Sequence, residues 1–339
     1  MQSALIFGGS GQLGSAVAER LLSSGWEVWV VTRGGRPPPG AAARGARLVD
    51  GTGKSRIAVI DDIGRAIDAV FDPTAYDEAD ATDLLQARTR FGGLVVASSA
   101  SVYADPDGRS LVEASQSGLA ERGGPITEDA PTVAPGDDSY STRKVALERA
   151  LLESGTPVSV LRPCAVYGLH STHPREWWLM KRALDRRRAI PVAYGGRSIF
   201  HTSSARAVAD LAAICAEKPG QGVLNVADDD APSVLEIAAA ITEATGLDLP
   251  LSPFRGAPVG PSHVGSTPWS SEHPFVLDTA RARSLGWSGG DYRVRVAEVC
   301  DWVLGVVRKG DWRAQFSGFA SYGYDPFDYA AEDDFMAAR

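Results

Sequence analysis

The sequence predicts an α/β protein: a doubly wound parallel sheet with a smaller, mostly C-terminal lobe. Three observations predict it. Short apolar runs alternate with helical patterns, the order that βαβ units produce. A glycine-rich segment, Gly8 to Gly14, joins the first apolar run to the first helical pattern. A second run, Glu27 to Arg33, then completes one βαβ unit.

Strands are expected at Ala4–Phe7, Glu27–Arg33, Ala46–Asp50, Ala66–Asp72, Gly93–Ser98, Pro157–Arg162 and Gly222–Ala227. The first helix begins near Gln12 and turns Leu13, Val17, Leu21 and Leu22 inward. A second runs from Tyr140 to about Glu153, and a third over Ser233–Thr245, stopped by Gly246. Two stretches break the alternation. Arg36 to Gly45, rich in Pro, Gly and Ala, reads as a loop after the second strand. Asp105 to Asp138 has little periodicity, and so long a connection inside a compact domain is usually functional or mobile.

At 339 residues, with 44% hydrophobic and 22% charged side chains, the chain has the composition of a soluble globular protein. Its apolar runs have strand length, far short of the roughly 20 residues of a membrane span. With no basic, apolar leader ahead of Ala4, the chain is expected to be cytoplasmic. A net charge of −8 argues against attraction to nucleic acid. The run Lys181, Arg182, Arg186, Arg187, Arg188 reads as a solvated helix face, with contact to an anion or a partner as the alternative. Three widely spaced cysteines make neither a metal site nor a disulfide framework.

The turn Gly8-Gly9-Ser10-Gly11-Gln12-Leu13-Gly14 sits between strand and helix. In a Rossmann dinucleotide-binding turn, the first glycine permits the tight bend and the second lets backbone amides approach a pyrophosphate. The third lets helix and strand pack closely. The helix start adds unpaired N–H groups and a positive dipole end. The second strand ends in Thr32-Arg33-Gly34-Gly35-Arg36, with no acid to accept from a ribose 2′-hydroxyl. Arg33 instead suits a 2′-phosphate, which favours NADP(H), with NAD as the alternative. Stacking on adenine or facing solvent is the other reading of Arg33.

Tyr140 and Lys144 are spaced i, i+4 on one helix face. A phenol with a pKa near 10 exchanges protons poorly at neutral pH, and a nearby ammonium is expected to lower it. Ser99, at the end of the fifth strand, can steady a substrate oxygen.

Further segments align with this reading in order. Ser98-Ser99-Ala100-Ser101-Val102-Tyr103 precedes Ile126-Thr127-Glu128-Asp129-Ala130-Pro131 and Tyr140-x-x-x-Lys144. Leu161-Arg162-Pro163-Cys164-Ala165-Val166-Tyr167-Gly168, Arg197-Ser198-Ile199-Phe200-His201 and Val223-Leu224-Asn225-Val226-Ala227 follow. Over roughly residues 1 to 245 the chain resembles an extended short-chain dehydrogenase/reductase of the sugar-nucleotide epimerase/dehydratase superfamily. The resemblance implies Tyr140 as general acid/base, Lys144 on the nicotinamide ribose, and Ser99 on the substrate oxygen. It places Gly8, Gly9, Ser10, Gly11, Gln12, Leu13, Thr32, Arg33, Pro73, Thr74, Ser98, Pro163 and Val166 around the cofactor. It places Arg197 on a substrate phosphate. It also implies a small-molecule substrate and a homodimer, while charge and apolar run length are what argue for no nucleic acid and no membrane.

The expected organisation is a dinucleotide-binding Rossmann domain over 1–168, to which 202–228 return. Residues 169–201 and 229–312 form a substrate lobe, and 313–339 an acidic, aromatic tail that is either an ordered cover or a loose end.

Several residues depart from the family pattern. Ala165 stands where the family often has an asparagine on the diphosphate, and Asp72-Pro73-Thr74-Ala75 replaces a His-x-Ala-Ala type. The adjacent Trp177 and Trp178 are read as both core, with one core and Trp177 as a candidate wall of the substrate pocket as the alternative. His170 and His173 are candidates for substrate contact, and His201 reads as structural. Ala100 and Ser101 stand where a dehydratase carries an acid pair, which argues against dehydration, and Arg33, suited to an exchanged NADPH, puts hydride transfer by an NADP-dependent oxidoreductase first. A sugar-nucleotide epimerase using NAD is the alternative. A dinucleotide-binding regulator without turnover, like the family's RNA-binding members, is a third reading.

Overall fold

A computed structural model describes residues 1–34, 40, 45–111 and 120–339. Its sheet strands in chain order are β1 (Ser3–Ile6), β2 (Glu27–Thr32), β3 (Arg47–Asp50), β4 (Ile67–Asp72), β5 (Phe91–Ala97) and β6 (Val158–Pro163). Short strands β7 (Ala165–Tyr167), β8 (Ile190–Val192) and β9 (Thr202–Ser204) follow, then β10 (Gly222–Val226) and β11 (Leu251–Pro253). Seven of these form one parallel sheet in the order β10-β6-β5-β4-β1-β2-β3. All seven expected strands are in it. The order reverses direction beside β1, the switch point at which open α/β sheets bind ligands beyond their strand ends.

The helices are α1 (Gln12–Ser23), α2 (Arg56–Asp62), α3 (Glu78–Gln86), α4 (Tyr140–Leu152), α5 (Trp177–Leu184) and α6 (Ala205–Glu217). They continue with α7 (Val234–Thr245), α8 (Ala280–Ser284), α9 (Tyr292–Val307), α10 (Trp312–Gln315) and α11 (Tyr329–Ala337). Both faces of the sheet are covered. On one, Val28 and Val30 pack with Val17, Leu21 and the alanine-rich α6. On the other, Leu5, Val70 and Val96 pack with Leu84, Leu147 and Leu151. Cys215 lies fully buried in α6, a small core residue as expected. Helix α7 starts on a capping box, Ser233 with Glu236, and stops at Gly246 in the left-handed region at φ +69°. The expected loop after β2 falls mostly outside the described residues, as does Arg36.

A separate apolar cluster joins α5, α7 and α9 with the C-terminal segment. Here two expectations are resolved. Trp177 and Trp178 are both core, each 2% exposed, and Trp177 packs against Trp312 and Phe316. Trp177 is therefore corrected from pocket wall to core residue, because the C-terminal segment covers it. In the basic run, Arg186 and Arg188 are exposed as expected, but Arg182 on α5 and Arg187 beyond it are not solvated. Buried Arg182 pairs with Glu332 at 2.5 Å and lies over Trp178, while Arg187 pairs with Asp333. The acidic tail is an ordered cover held by the basic run. His201 is structural: its Nε2 faces the Asp228 and Asp230 carbonyls, and its Nδ1 accepts from the Leu277 amide.

Candidate active site

The glycine turn is built by close contacts. Gly8 adopts φ +61°, and a Cβ there would lie 2.4 Å from Thr74 Cγ2. A Cβ on Gly9 would meet Val30 at 1.9 Å. A Cβ on Gly14 would meet the Gly8 carbonyl at 2.4 Å, so α1 and the β1 end pack through this glycine. Gly11 differs. Its Cβ would approach only the Gly8 oxygen, at 3.3 Å, and otherwise points into open space. Gly11 is also the N-cap of α1, and no side chain caps that helix. The start of α1 therefore presents backbone donors toward the space in front of Gly11, a cradle suited to a phosphate.

That space is a cleft of about 450 Å³. Gly11, Gln12 and Leu13 line it from the turn, Pro73 from the end of β4, and Ser98 and Ser99 from the end of β5. Tyr140 and Lys144 line it from α4, and Pro163, Cys164 and Val166 from the end of β6 and from β7. Ten of the sequence-derived site residues thus meet in one cavity. Gly8, Gly9 and Ser10 lie in the turn behind it, and Thr74 over Gly8. Thr32 and Ser98 each bury a hydroxyl without a protein partner, an unmet polar demand that a bound dinucleotide suits. Arg33 is exposed at the end of β2, and Arg197 is exposed outside the cleft lining.

A larger groove of about 560 Å³ lies beyond Gln12, between α1, α6 and α9. Four of its charges form two pairs, Arg20 with Asp210 and Arg206 with Glu298, and Arg295 donates to the Ser204 hydroxyl. It holds none of the Ser, Tyr and Lys chemistry, which is confined to the smaller cleft.

Tyr140 is the first residue of α4, fixed by a capping box between Ser139 and Thr142. One turn on, Lys144 is buried, and its Nζ donates to the carbonyls of Ala75 at 2.6 Å and Ala97 at 2.9 Å. These two bonds tie α4 to the ends of β4 and β5. The ammonium lies 5.8 Å from the Tyr140 ring centre. Burial lowers the Lys144 pKa to about 8, partly offset by Asp72 and Glu148. Tyr140 stays 40% exposed, yet loss of solvent around its hydroxyl raises its pKa, opposed by a hydrogen bond with Ser99. The expected lowering by Lys144 is corrected: the shift is upward, set by desolvation and opposed by Ser99 rather than by Lys144. The Tyr76 ring, 5.7 Å away and tilted, flanks Tyr140, a contact with no sequence signal.

The other motifs are structural. Arg162 and Glu148 form a buried two-pronged pair, at 2.9 and 2.5 Å, with the guanidinium 4.8 Å over Tyr103. Tyr103 in turn donates to Asn225 at 2.6 Å, and Asn225 donates to the Ile126 carbonyl. Asp72 is fully buried; it accepts from the Thr74 and Ala75 amides and pairs with Arg56 at 2.5 Å.

Beyond Ser99, Tyr140 and Lys144, the cleft wall is the turn from His170 to Arg175. The histidines are sequence candidates. Arg175 is not, since its neighbours Pro174 and Glu176 give it no motif.

The fold and the cleft define a Rossmann-type dinucleotide-binding protein with a Ser, Tyr and Lys group at its switch point. The sequence profile of the NAD dependent epimerase/dehydratase family matches residues 4–227, and the chain belongs to that family. It is accordingly an enzyme of the nicotinamide-dependent oxidoreductase and epimerase class. No curated protein sequence matches the chain.

Among solved structures, it is similar to a UDP-glucose-4-epimerase from Stenotrophomonas maltophila with bound NAD and formylated UDP-arabinopyranose. The TM-score is 0.68 at 19% identity, over 91% of this chain and 100% of that one. It is similar to a dTDP-glucose 4,6-dehydratase from Bacillus anthracis in complex with NAD (TM-score 0.66, 15% identity, 92% and 98% covered). A mutant UDP-glucuronic acid 4-epimerase from Bacillus cereus, in complex with a fluorinated UDP-glucuronic acid and NAD, gives 0.64 at 16% identity, over 90% and 100%.

If Gly11 faces the dinucleotide, Gly11→Val puts its methyl groups into the cleft, and the turn has only to ease the 3.3 Å contact of the new Cβ with the Gly8 carbonyl. NADPH affinity, followed by fluorescence titration, should fall more than about 10-fold, or about 1.4 kcal/mol. Tm should move by less than about 3 °C. Retained affinity contradicts the cradle.

Proposed function

We propose that this chain is an NADP(H)-dependent oxidoreductase that transfers hydride at a hydroxyl-bearing or carbonyl carbon of a small molecule, a sugar nucleotide or a secondary-metabolite intermediate. The observation that carries the reading is the meeting of Ser99, Tyr140 and Lys144 with the Gly11 turn in one cleft. A bound nicotinamide supplies the hydride donor or acceptor. The chain's residues do the rest. Ser99 holds the substrate oxygen. Tyr140, protonated at neutral pH, gives that oxygen a proton in reduction and takes it back in oxidation. Lys144, anchored on two carbonyls, keeps a remaining N–H for a ribose hydroxyl and holds α4 in register with the strand ends. Three free cysteines without a nearby partner fit a reducing, cytoplasmic setting.

Arg33 supports NADP(H), since its exposed guanidinium ends β2 where an acid would select NAD. Arg33→Ala should weaken NADPH about 10- to 100-fold, the value of a charged hydrogen bond, and NADH hardly at all. Equal losses contradict the 2′-phosphate role. A second reading, an NAD-dependent sugar-nucleotide epimerase, is favoured by the NAD and nucleotide sugars bound in the similar structures. It predicts tighter binding of NAD than of NADP, so one pair of titrations separates the two.

A further inference from the structure

We propose that Arg175 is the anion-recognition residue of the cleft, taking an oxyanion of the substrate, a carboxylate or a phosphate, on its guanidinium. The inference rests on the reading that this cleft receives cofactor and substrate. It deepens that reading by naming the substrate's charge.

Three observations carry it. First, among the described residues the charged side chains lining the cleft are Lys144 and Arg175, with no carboxylate, in a chain of net charge −8. Lys144 donates to Ala75 and Ala97, and its remaining N–H is given to the cofactor ribose, so Arg175 is the cation left to meet the substrate. Second, Arg175 is under-satisfied. Its Nη1 makes one long bond to the Val166 carbonyl, at 3.3 Å, and its Nε is buried without any partner. No carboxylate pairs with it among the described residues. An arginine that has given up water at Nε and found no acceptor lowers its free energy by taking a planar oxyanion, which accepts from two guanidinium donors at once.

Third, no ion pair compensates it among the described residues, although the buried Glu176 beside it feels its charge. Glu176, next in the chain, is fully buried, accepts from Tyr292 Oη at 3.2 Å, and is pushed toward its neutral acid form by burial. His173, also in the cleft wall, has its pKa lowered to about 4 by burial and by the Arg175 charge. It is a neutral ring at physiological pH, with Tyr322 Oη 3.1 Å from Nε2. Ser171 and Thr172 add hydroxyls to the same wall. The wall is held in place from outside, since the Gly318 amide donates to the Thr172 carbonyl at 2.9 Å and Phe319 packs on His173. One charged fork among neutral hydrogen-bonding groups on a braced wall is a receptor for one anionic group.

The test uses the NADP⁺-loaded full chain, as wild type, Arg175→Met and Arg175→Lys, titrated calorimetrically with four probes. These are UDP-glucuronate, UDP-glucose, free glucuronate and inorganic phosphate. NADP⁺ affinity is measured first on each protein. The expected result is saturable binding of at least one probe to wild type, weakened about 10-fold or more by Arg175→Met. Arg175→Lys should recover only part of it, because a point charge replaces the fork. NADP⁺ affinity should stay within about twofold in both variants.

Loss confined to UDP-glucuronate and glucuronate assigns the group as a carboxylate. Equal loss for both nucleotide sugars assigns a phosphate. Unchanged probe affinity in Arg175→Met overturns the proposal. So does failure of all four probes to bind wild type up to about 10 mM. A parallel loss of NADP⁺ also overturns it, since the anion held would then be the cofactor's own. Failure of NADP⁺ to bind wild type is a separate outcome, which contradicts the functional reading itself.

Discussion

Tyr140→Phe is expected to lower kcat by roughly 10²- to 10⁴-fold, the range over which a positioned acid/base side chain contributes to proton transfer. The change removes one oxygen from an exposed ring and leaves the cap of α4 to Ser139 and Thr142, so the fold should persist. Lys144 keeps its two carbonyl partners, and NADPH affinity should be unchanged. The measurement is single-turnover oxidation of bound NADPH by a carbonyl substrate that the wild type reduces. A second signature follows from the protonated state of the phenol. Reduction needs the neutral phenol, so the reductive rate in wild type should fall as pH rises through the Tyr140 pKa, and the phenylalanine variant should lose that fall. Equal rates in the two proteins remove Tyr140 from the chemistry.

The second large effect is on stability. Glu148→Ala leaves the Arg162 guanidinium charged, 5% exposed as a residue and without its two-pronged partner. Removing one member of a buried pair costs about 3–5 kcal/mol. Arg162 also stacks over Tyr103, whose hydroxyl holds Asn225 on the neighbouring strand, so the disturbance reaches β10. Denaturant unfolding should show a loss of this size, with Glu148→Gln losing less because an acceptor remains. A change below about 1 kcal/mol contradicts the structural role given to this motif.

The sheet was readable because its central strands are runs of buried apolar residues between turn signals, whereas the edge strand β3, Arg47–Asp50, is mostly exposed. Val28 to Val31 and Leu94 to Ala97 are apolar without alternation, as strands covered on both faces must be. The glycine turn was readable for a similar reason: three backbone approaches impose three fixed positions on seven residues. What sequence could not give depends on partners far along the chain. Arg182 meets Glu332, 150 residues away, and nothing local distinguishes it from the solvated Arg and Lys of an ordinary helix. Trp177 became core for the same reason, since Trp312 and Phe316 arrive from the tail.

In the site, spacing put Tyr140 and Lys144 on one face but did not show that Lys144 spends two donors on Ala75 and Ala97. Desolvation, a property of the assembled cleft, then sets the Tyr140 shift opposite to the direction expected from a neighbouring charge alone. Arg175 had no motif, and only its lack of a partner in three dimensions makes it visible.

A crystal structure of the chain with NADP⁺ tests the central claim most directly. The account predicts the pyrophosphate against the amides at the start of α1, in front of Gly11. It predicts the nicotinamide ribose on Lys144 and the reactive ring beside Tyr140 and Ser99. A dinucleotide bound elsewhere, or a nicotinamide turned away from Tyr140, contradicts it.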